Sequence, residues 1–174
     1  MDFLASIGFE ETATQQHIIL IRLFIASVLG AMIGFERGSH TGSAGLRTHI
    51  LIALAAALFT TLSFEIFEAV GVVSGAGQNP DPIRAIEAVT AGIAFLGAGA
   101  IFQQRGSVQG LTTGAGMWLA GAVGVCSALG YYLIAFTVAS FAVIVLAALR
   151  ALSHKFINSH AIEQGGGTDR KTDR

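Results

Sequence analysis

The sequence predicts an all-α integral membrane protein, a bundle of about five transmembrane helices with the N-terminus outside and the C-terminus in the cytoplasm. Three observations carry this expectation. The 174 residues are 53% hydrophobic and only 12% charged, about half the charged share of a soluble domain, so a water-facing surface could not be covered with polar groups. Apolar stretches long enough to cross about 30 Å of hydrocarbon at about 1.5 Å per residue recur along the chain. Lys and Arg gather in alternate connections between those stretches.

Taken in order, the first stretch runs from His17 to Phe35 and the second from Leu46 to Phe67. The third opens after Asp81-Pro82 and ends near Phe102. Asp is a good N-cap, and Pro suits the first helical position. The fourth runs from Gly110 to Leu129 and the fifth from Tyr131 to Leu149. Only Ala128-Leu129-Gly130 separates these two, which makes them antiparallel neighbours. Residues 69–80 read as a Gly-rich loop ending in Asn79-Pro80. The domain organisation is therefore a short N-terminal segment (1–16), a five-helix membrane domain (17–152) and a polar cytoplasmic tail (153–174). The tail's end, EQGGGTDRKTDR, is too polar and Gly-rich to pack and reads as disordered. The N-terminal MDFLASIGFEETATQQ is acidic and lacks the basic n-region of a signal peptide, so the first stretch reads as a retained anchor.

Orientation follows from the basic residues. Arg37, Arg47, Arg105, Arg150, Lys155, Arg170, Lys171 and Arg174 fall on one side, Arg84 alone on the other, and Arg22 inside the first stretch. A net charge of −1 gives nucleic acid nothing to bind. The single cysteine, Cys126, excludes an internal disulfide, and no Cys/His cluster has zinc spacing. Paired intramembrane aspartates, a Ser-His pair and HExxH are all missing, so neither an enzyme nor a cofactor is expected.

Lipid-embedded helices approach one another through small residues. Gly30 and Gly34 form GxxxG in the first stretch. Ala88 and Gly92, continued by Gly97 and Gly99, stand in the third, and Gly110, Gly114, Ala120 and Gly124 in the fourth. Helix packing accounts for most of these. An unwound segment lining a site is the other reading, with Gly97-Ala98-Gly99 the first candidate.

Charges near a bilayer must pair, face protein or reach an interface. Asp81 reads as the cap of the third helix. Arg84 lies between Asp81 and Glu87 at three-residue steps and is positioned to pair with either carboxylate. Glu36-Arg37 closes the first helix, and Arg47-Thr48-His49 opens the second. All can be read as interfacial groups obeying the positive-inside rule. Arg22 is deeper, able to snorkel outward or to meet Glu65, Glu68 or Glu87. Thr112 and Thr113, between Gly110 and Gly114, permit either an irregular start or a polar first turn with Trp118 packed inside.

These motifs resemble the MgtC/SapB family of bacterial inner-membrane proteins. The matching stretches are GAMIGFERG (30–38), AGLRTHILIALAAALF (44–59), DPIRAIEAVTAGIAFLGAGAIF (81–102) and GLTTGAGMWLAGAVG (110–124). The resemblance implies a multi-pass protein of the bacterial inner membrane, linked to growth in low magnesium and to survival of intracellular bacteria. It also implies, for some members, modulation of other membrane proteins such as the ATP synthase. Carried over position by position, it singles out Glu36 and Arg37, Arg47 and Thr48, Asp81 and Arg84, Gly97 and Gly99, and Thr112 and Thr113; Glu87 joins them from the charge reading. One departure is Ala91-Gly92-Ile93-Ala94-Phe95-Leu96-Gly97, where the family has Ser-Gly-Ile-Gly-Phe-Leu-Gly. Longer members carry a cytoplasmic C-terminal domain, which the short form expected here lacks.

Two functions remain open. One is a non-enzymatic regulator that works by helix contact with another membrane protein or a second copy of itself. The other is a cation transporter or channel component, with Glu65, Glu68, Asp81 and Glu87 attracting hydrated Mg²⁺. No metal ligand set is assigned. The bilayer itself is the partner common to both.

Overall fold

The computed structural model describes residues 12–37, 44–73, 81–104 and 107–165. Expectations for the rest of the N-terminal segment, for 74–80 and for the end of the tail fall outside them. Five helices make up the bundle: α1 (Gln16–Arg37), α2 (Leu46–Val73), α3 (Pro82–Gly99), α4 (Leu111–Ala128) and α5 (Tyr132–Gly165). Between α3 and α4 stands a two-stranded antiparallel hairpin, β1 (Phe102–Gln104) paired with β2 (Ser107–Gln109). Four helices, α1, α2, α4 and α5, contain segments long and apolar enough to cross a membrane. The fifth, α3, has 18 residues, and Arg84 and Glu87 fall in its first two turns.

α4 is the central helix. Ten of its 18 residues are buried, and it packs on all four others. Together α1, α2 and α4 enclose the main core, built from Leu29, Ile33, Ile52, Ala56, Met117 and Val123. α3 lies on α2 and α4, and α5 lies on α1 and α4.

Small residues explain why the three core helices come so close. A Cβ on Gly30 would stand 2.7 Å from both the Ala53 Cβ and the His49 carbonyl oxygen, and one on Gly34 2.8 Å from the Leu46 Cα. From the other side, a Cβ on Gly124 would fall onto the Ala53 carbonyl. These are backbone obstacles that no rotamer change removes. Across the α3–α4 seam Gly97 faces Gly114, with a Gly114 Cβ reaching 3.1 Å from the Gly97 carbonyl oxygen. Gly92 and Gly99, expected in packing or at a site, meet nothing within 4 Å. Spacing alone puts Gly92 on the Ala88 face, but α3 docks through Ile93 and Gly97, so that face lines the open groove beside α2 instead of a close helix contact.

Several boundaries differ from the sequence expectation. α2 continues to Val73, five residues into the expected loop, since Gly71 alone does not stop an otherwise apolar helix. α3 ends at Gly99, with Ala100 as its C-cap, and the chain turns into the hairpin before reaching Phe102 as helix. α5 runs to Gly165, where disorder is expected from residue 153; no Gly or Pro interrupts it before the run that begins at Gly165.

The α4–α5 connection is a Schellman turn. Gly130 takes the left-handed conformation at φ 80°, Tyr131 N–H donates to the Cys126 carbonyl at 2.9 Å, and Gly130 N–H donates to Ser127 at 3.1 Å. At the other end of α4, Gly110 is left-handed (φ 85°) and a Cβ on it would run into the Ala100 carbonyl, so a side chain there is excluded twice over. Gly114 N–H donates to the Gly110 carbonyl at 2.9 Å, and α4 starts as regular helix rather than unwound. Helix α3 is likewise regular through Gly97-Ala98-Gly99.

Replacing Gly124 by Ala is expected to lower unfolding free energy by about 1–3 kcal/mol, because α4 must retreat from α2. The matching change Gly92→Ala is expected to be neutral, or to stabilise by up to about 1 kcal/mol through helix propensity. Thermal unfolding in detergent separates the two; equal losses would contradict the packing described.

Candidate functional site

The matched motif residues come together at one end of the core, where α1 ends and α2 and α4 begin. Arg37, the last residue of α1, donates from Nη2 to Thr113 Oγ1 at 2.7 Å. Thr113 is 3% exposed. The glycine contacts described above bring the two helix ends close enough for this bond. Glu36 points the other way, toward α5. Arg150 Nη1 lies 3.2 Å from Glu36 Oε1, and Arg150 Nη2 also donates to the Glu36 carbonyl oxygen. One arginine thereby binds both the side chain and a terminal carbonyl of α1, groups that a helix end leaves unpaired. This is the one ion pair among the described residues.

At the centre of the cluster is His49, 0% exposed. Its Nδ1 is 2.9 Å from the Gly45 carbonyl oxygen. A carbonyl only accepts, so the proton is assigned to Nδ1 and Nε2 carries the lone pair. Nε2 has no partner among the described residues and points at α4, where a Cβ on Gly116 would come within 3.0 Å of it. Three glycines, Gly30, Gly34 and Gly116, make the space for this ring and its backbone. The Nε of Arg37 is likewise buried without a partner. The sequence reading treats His49 as interfacial. The signal that could have placed it is its position directly ahead of the apolar run 50–59, one helix away from the GxxxG of α1.

The other candidate residues stand apart from this cluster. Arg47 is exposed, and Thr48 is half-buried along the α2–α3 groove. Thr112 is exposed beside buried Thr113, and Trp118 is 51% exposed rather than packed inside. Asp81 caps α3, accepting from Ile83 N–H at 2.9 Å. The expected pairing of Arg84 with Asp81 or Glu87 is not formed. Asp81 is turned to the backbone, and Arg84 and Glu87 are both exposed without an ion-pair partner among the described residues.

At the opposite end, Arg22 Nη1 donates to the Ala128 carbonyl at the C-terminus of α4 (2.8 Å), which answers where this deep arginine goes. Glu65 accepts from Ala13 N–H at 2.7 Å and Thr14 N–H at 3.1 Å, fixing the chain ahead of α1. Arg22, Glu65 and Glu68 share a small cavity there with Thr61. The acidic residues do not converge: no group of three or more His, Cys, Asp or Glu side chains able to hold a metal occurs among the described residues. Along the side of the bundle, α2 and α3 leave an apolar groove of about 900 Å³, walled by Leu51, Phe59, Leu62, Ala88 and Gly92.

A helical bundle with four membrane-length apolar helices is a multi-pass membrane protein. The chain belongs to the MgtC family, whose model matches residues 23–155. Among curated relatives it is 33% identical over 141 residues to the putative magnesium transporter YhiD of Escherichia coli K12, covering 81% of this chain and 65% of that protein. It is 40% identical over 127 residues to protein MgtC of Brucella abortus, covering 73% and 49%. With protein MgtC of Salmonella typhimurium it shares 37% over 114 residues, covering 65% and 44%. The chain thus spans less than two thirds of the length of these relatives. No solved structure matches it.

The Arg37–Thr113 bond crosses between α1 and α4, so Arg37→Ala and Thr113→Val are each expected to destabilise by about 1–3 kcal/mol, each leaving a buried polar group unpaired. Combined, the losses are expected to fall short of their sum. Detergent unfolding of the two single variants and the double variant measures this, and strict additivity would deny the bond.

Proposed function

We propose that this protein is a non-enzymatic regulator in the bacterial inner membrane, linked to magnesium homeostasis and low-magnesium adaptation, that acts by helix contact with another membrane protein. In this reading the N-terminus is outside and the C-terminus cytoplasmic, as the basic residues direct. The observation that carries it is the filled centre of the bundle. Where a conduit would run, between α1, α2 and α4, stand Leu29, Ile33, Ile52, Met117, Ala120 and Val123, each under a tenth exposed. A hydrated divalent cation needs several oxygen ligands and room for water, and these six apolar side chains supply neither. At the motif end Arg37 is bonded to Thr113 and Glu36 to Arg150, and the free surface is largely an apolar wall with a long groove. Such a surface fits a neighbouring helix.

A transport role is the second reading. It is favoured by the name of the YhiD relative and by the cavity containing Glu65 and Glu68 at the Arg22 end. Flux measurement separates the two. Purified full chain in Mg²⁺-loaded vesicles is expected to leak no faster than empty vesicles. Asp81→Asn is expected to leave that baseline unchanged, while altering the set of membrane proteins co-purified from cells. Protein-dependent Mg²⁺ flux that falls with Asp81→Asn would replace the regulatory reading with transport.

A further inference from the structure

α3 is held to the bundle near its C-terminal end, by Ile93 in the shared core and by Gly97 against Gly114. Between that contact and Asp81, the α3 side facing α2 is small: Ala85, Ala88 and Gly92. The bulk that would close the helix pair is missing, and a groove of about 900 Å³ is left. On α2 it runs from Thr48 to Phe67, about 28 Å at about 1.5 Å per residue. That is close to the hydrocarbon thickness of about 30 Å. Spread over this length, the volume gives a mean cross-section of about 30 Å². A helix with its side chains is about 10–12 Å across and fills about 80–110 Å². A file of methylene groups, touching its surroundings at about 4 Å, needs less than about 20 Å². The groove is therefore too narrow to seat a helix and wide enough for a hydrocarbon chain. Its polar side chains stand toward the two mouths, Thr48 at one and Ser63 and Asp81 toward the other.

We propose that the α2–α3 groove is a phospholipid site, in which an acyl chain lies along Phe59, Ala88 and Gly92 and the phosphodiester of an anionic headgroup stands at the Thr48 mouth. Charge selects the end at which the lipid enters. Arg47, next to Thr48, is exposed and has no ion-pair partner among the described residues. Glu36, the acid at the same end of the bundle, is taken by Arg150. The far mouth has Asp81 in its wall, with Glu87 and the single base Arg84 beyond it on α3, so the balance there is negative. A phosphodiester is drawn to the first mouth and disfavoured at the second. A chain entering at Thr48 reaches about 15 Å, the half of the hydrocarbon that belongs to its own leaflet. This carries it past Gly92 and Ala88, both exposed, and a Cβ placed on Gly92 would meet nothing within 4 Å. The bound chain completes the apolar wall beside α3. The site does not depend on the regulatory reading: either one stands if the other fails.

The test uses the full chain purified in mild detergent. Retained phospholipid is counted by native mass spectrometry, and thermal unfolding is followed after delipidation. Wild type is expected to hold about one phospholipid per chain, and to be stabilised more by added phosphatidylglycerol than by phosphatidylcholine. Gly92→Phe and Ala88→Leu fill the groove from its open side. Both are expected to unfold no lower than delipidated wild type and to cut retained phospholipid at least about fivefold. Arg47→Gln is expected to leave phosphatidylcholine binding unchanged and to weaken phosphatidylglycerol binding about fivefold. Leu133→Phe, on the exposed side of α5, is the control and is expected to retain lipid as wild type does. A wild type that carries no tightly held phospholipid would overturn the proposal. So would groove-filling variants with unchanged unfolding that retain as much lipid as wild type. A protein occupant would overturn it too: Gly92→Cys, in a Cys126→Ser background, cross-linking in vesicles to a second copy or to another membrane protein.

Discussion

The fold depends on how closely two helices approach the backbone of a third. At Ala53 the α2 chain is pressed from one side by Gly30 of α1 and from the other by Gly124 of α4. In lipid there is no hydrophobic drive between helices, so their association rests on this kind of contact, in which dispersion accumulates over backbone atoms at short range. Its consequences extend along the helices. With α1 and α4 both held against α2, the end of α1 lies beside the start of α4, and Arg37 reaches Thr113 without stretching. The same spacing leaves a gap between glycines that an imidazole fills, and His49 occupies it.

Polar groups then sort by what the membrane allows. Each charged side chain tied down inside the bundle meets a helix end or another helix. Arg22 and Arg150 give protons to carbonyls that close α4 and α1, while Glu65 takes them from the amides ahead of α1. A helix terminus in low dielectric has its own unsatisfied groups, so a long charged side chain from a neighbour serves both sides of the contact. α3 departs from this rule. Its cap is internal, through Asp81, and its two remaining charges face away from the bundle.

Much of this was legible in the sequence. The apolar stretches located five helices to within a few residues at most ends, because hydropathy reflects the solvent around a helix and lipid is an unusually uniform solvent. The GxxxG of α1 named the correct packing face: Gly30 and Gly34, with Ala26 one turn earlier, are all buried. The reading of α3 failed for a physical reason: small residues surround most of that helix, so spacing could not tell Gly97, which packs, from Gly92, which does not. The hairpin between α3 and α4 escaped because three-residue strands are too short to show a period. Arg84 misled because proximity along a helix says who could pair, not whether the carboxylate is already engaged by an amide. His49 was missed because a single polar residue at a helix start looks interfacial until the facing helices are known.

Those two residues also bear on how the molecule can work. His49 and the Arg37–Thr113 bond lie where three helices are locked together, so changes there act on the whole bundle rather than on one surface. A regulator that works by contact needs a stiff body and an open edge, and this chain separates them in space. The stiff body is α1, α2 and α4, which share the buried core and meet at the backbone of Ala53. The open edge is α3, held by one glycine pair and a short run of apolar contacts, flanked by the groove it makes with α2. A transporter would need the reverse: polar groups and mobility at the centre, and stability outside. The placement of charge in this bundle, at helix ends and on the exposed face of α3, is what the proposed contact role asks of an outer surface.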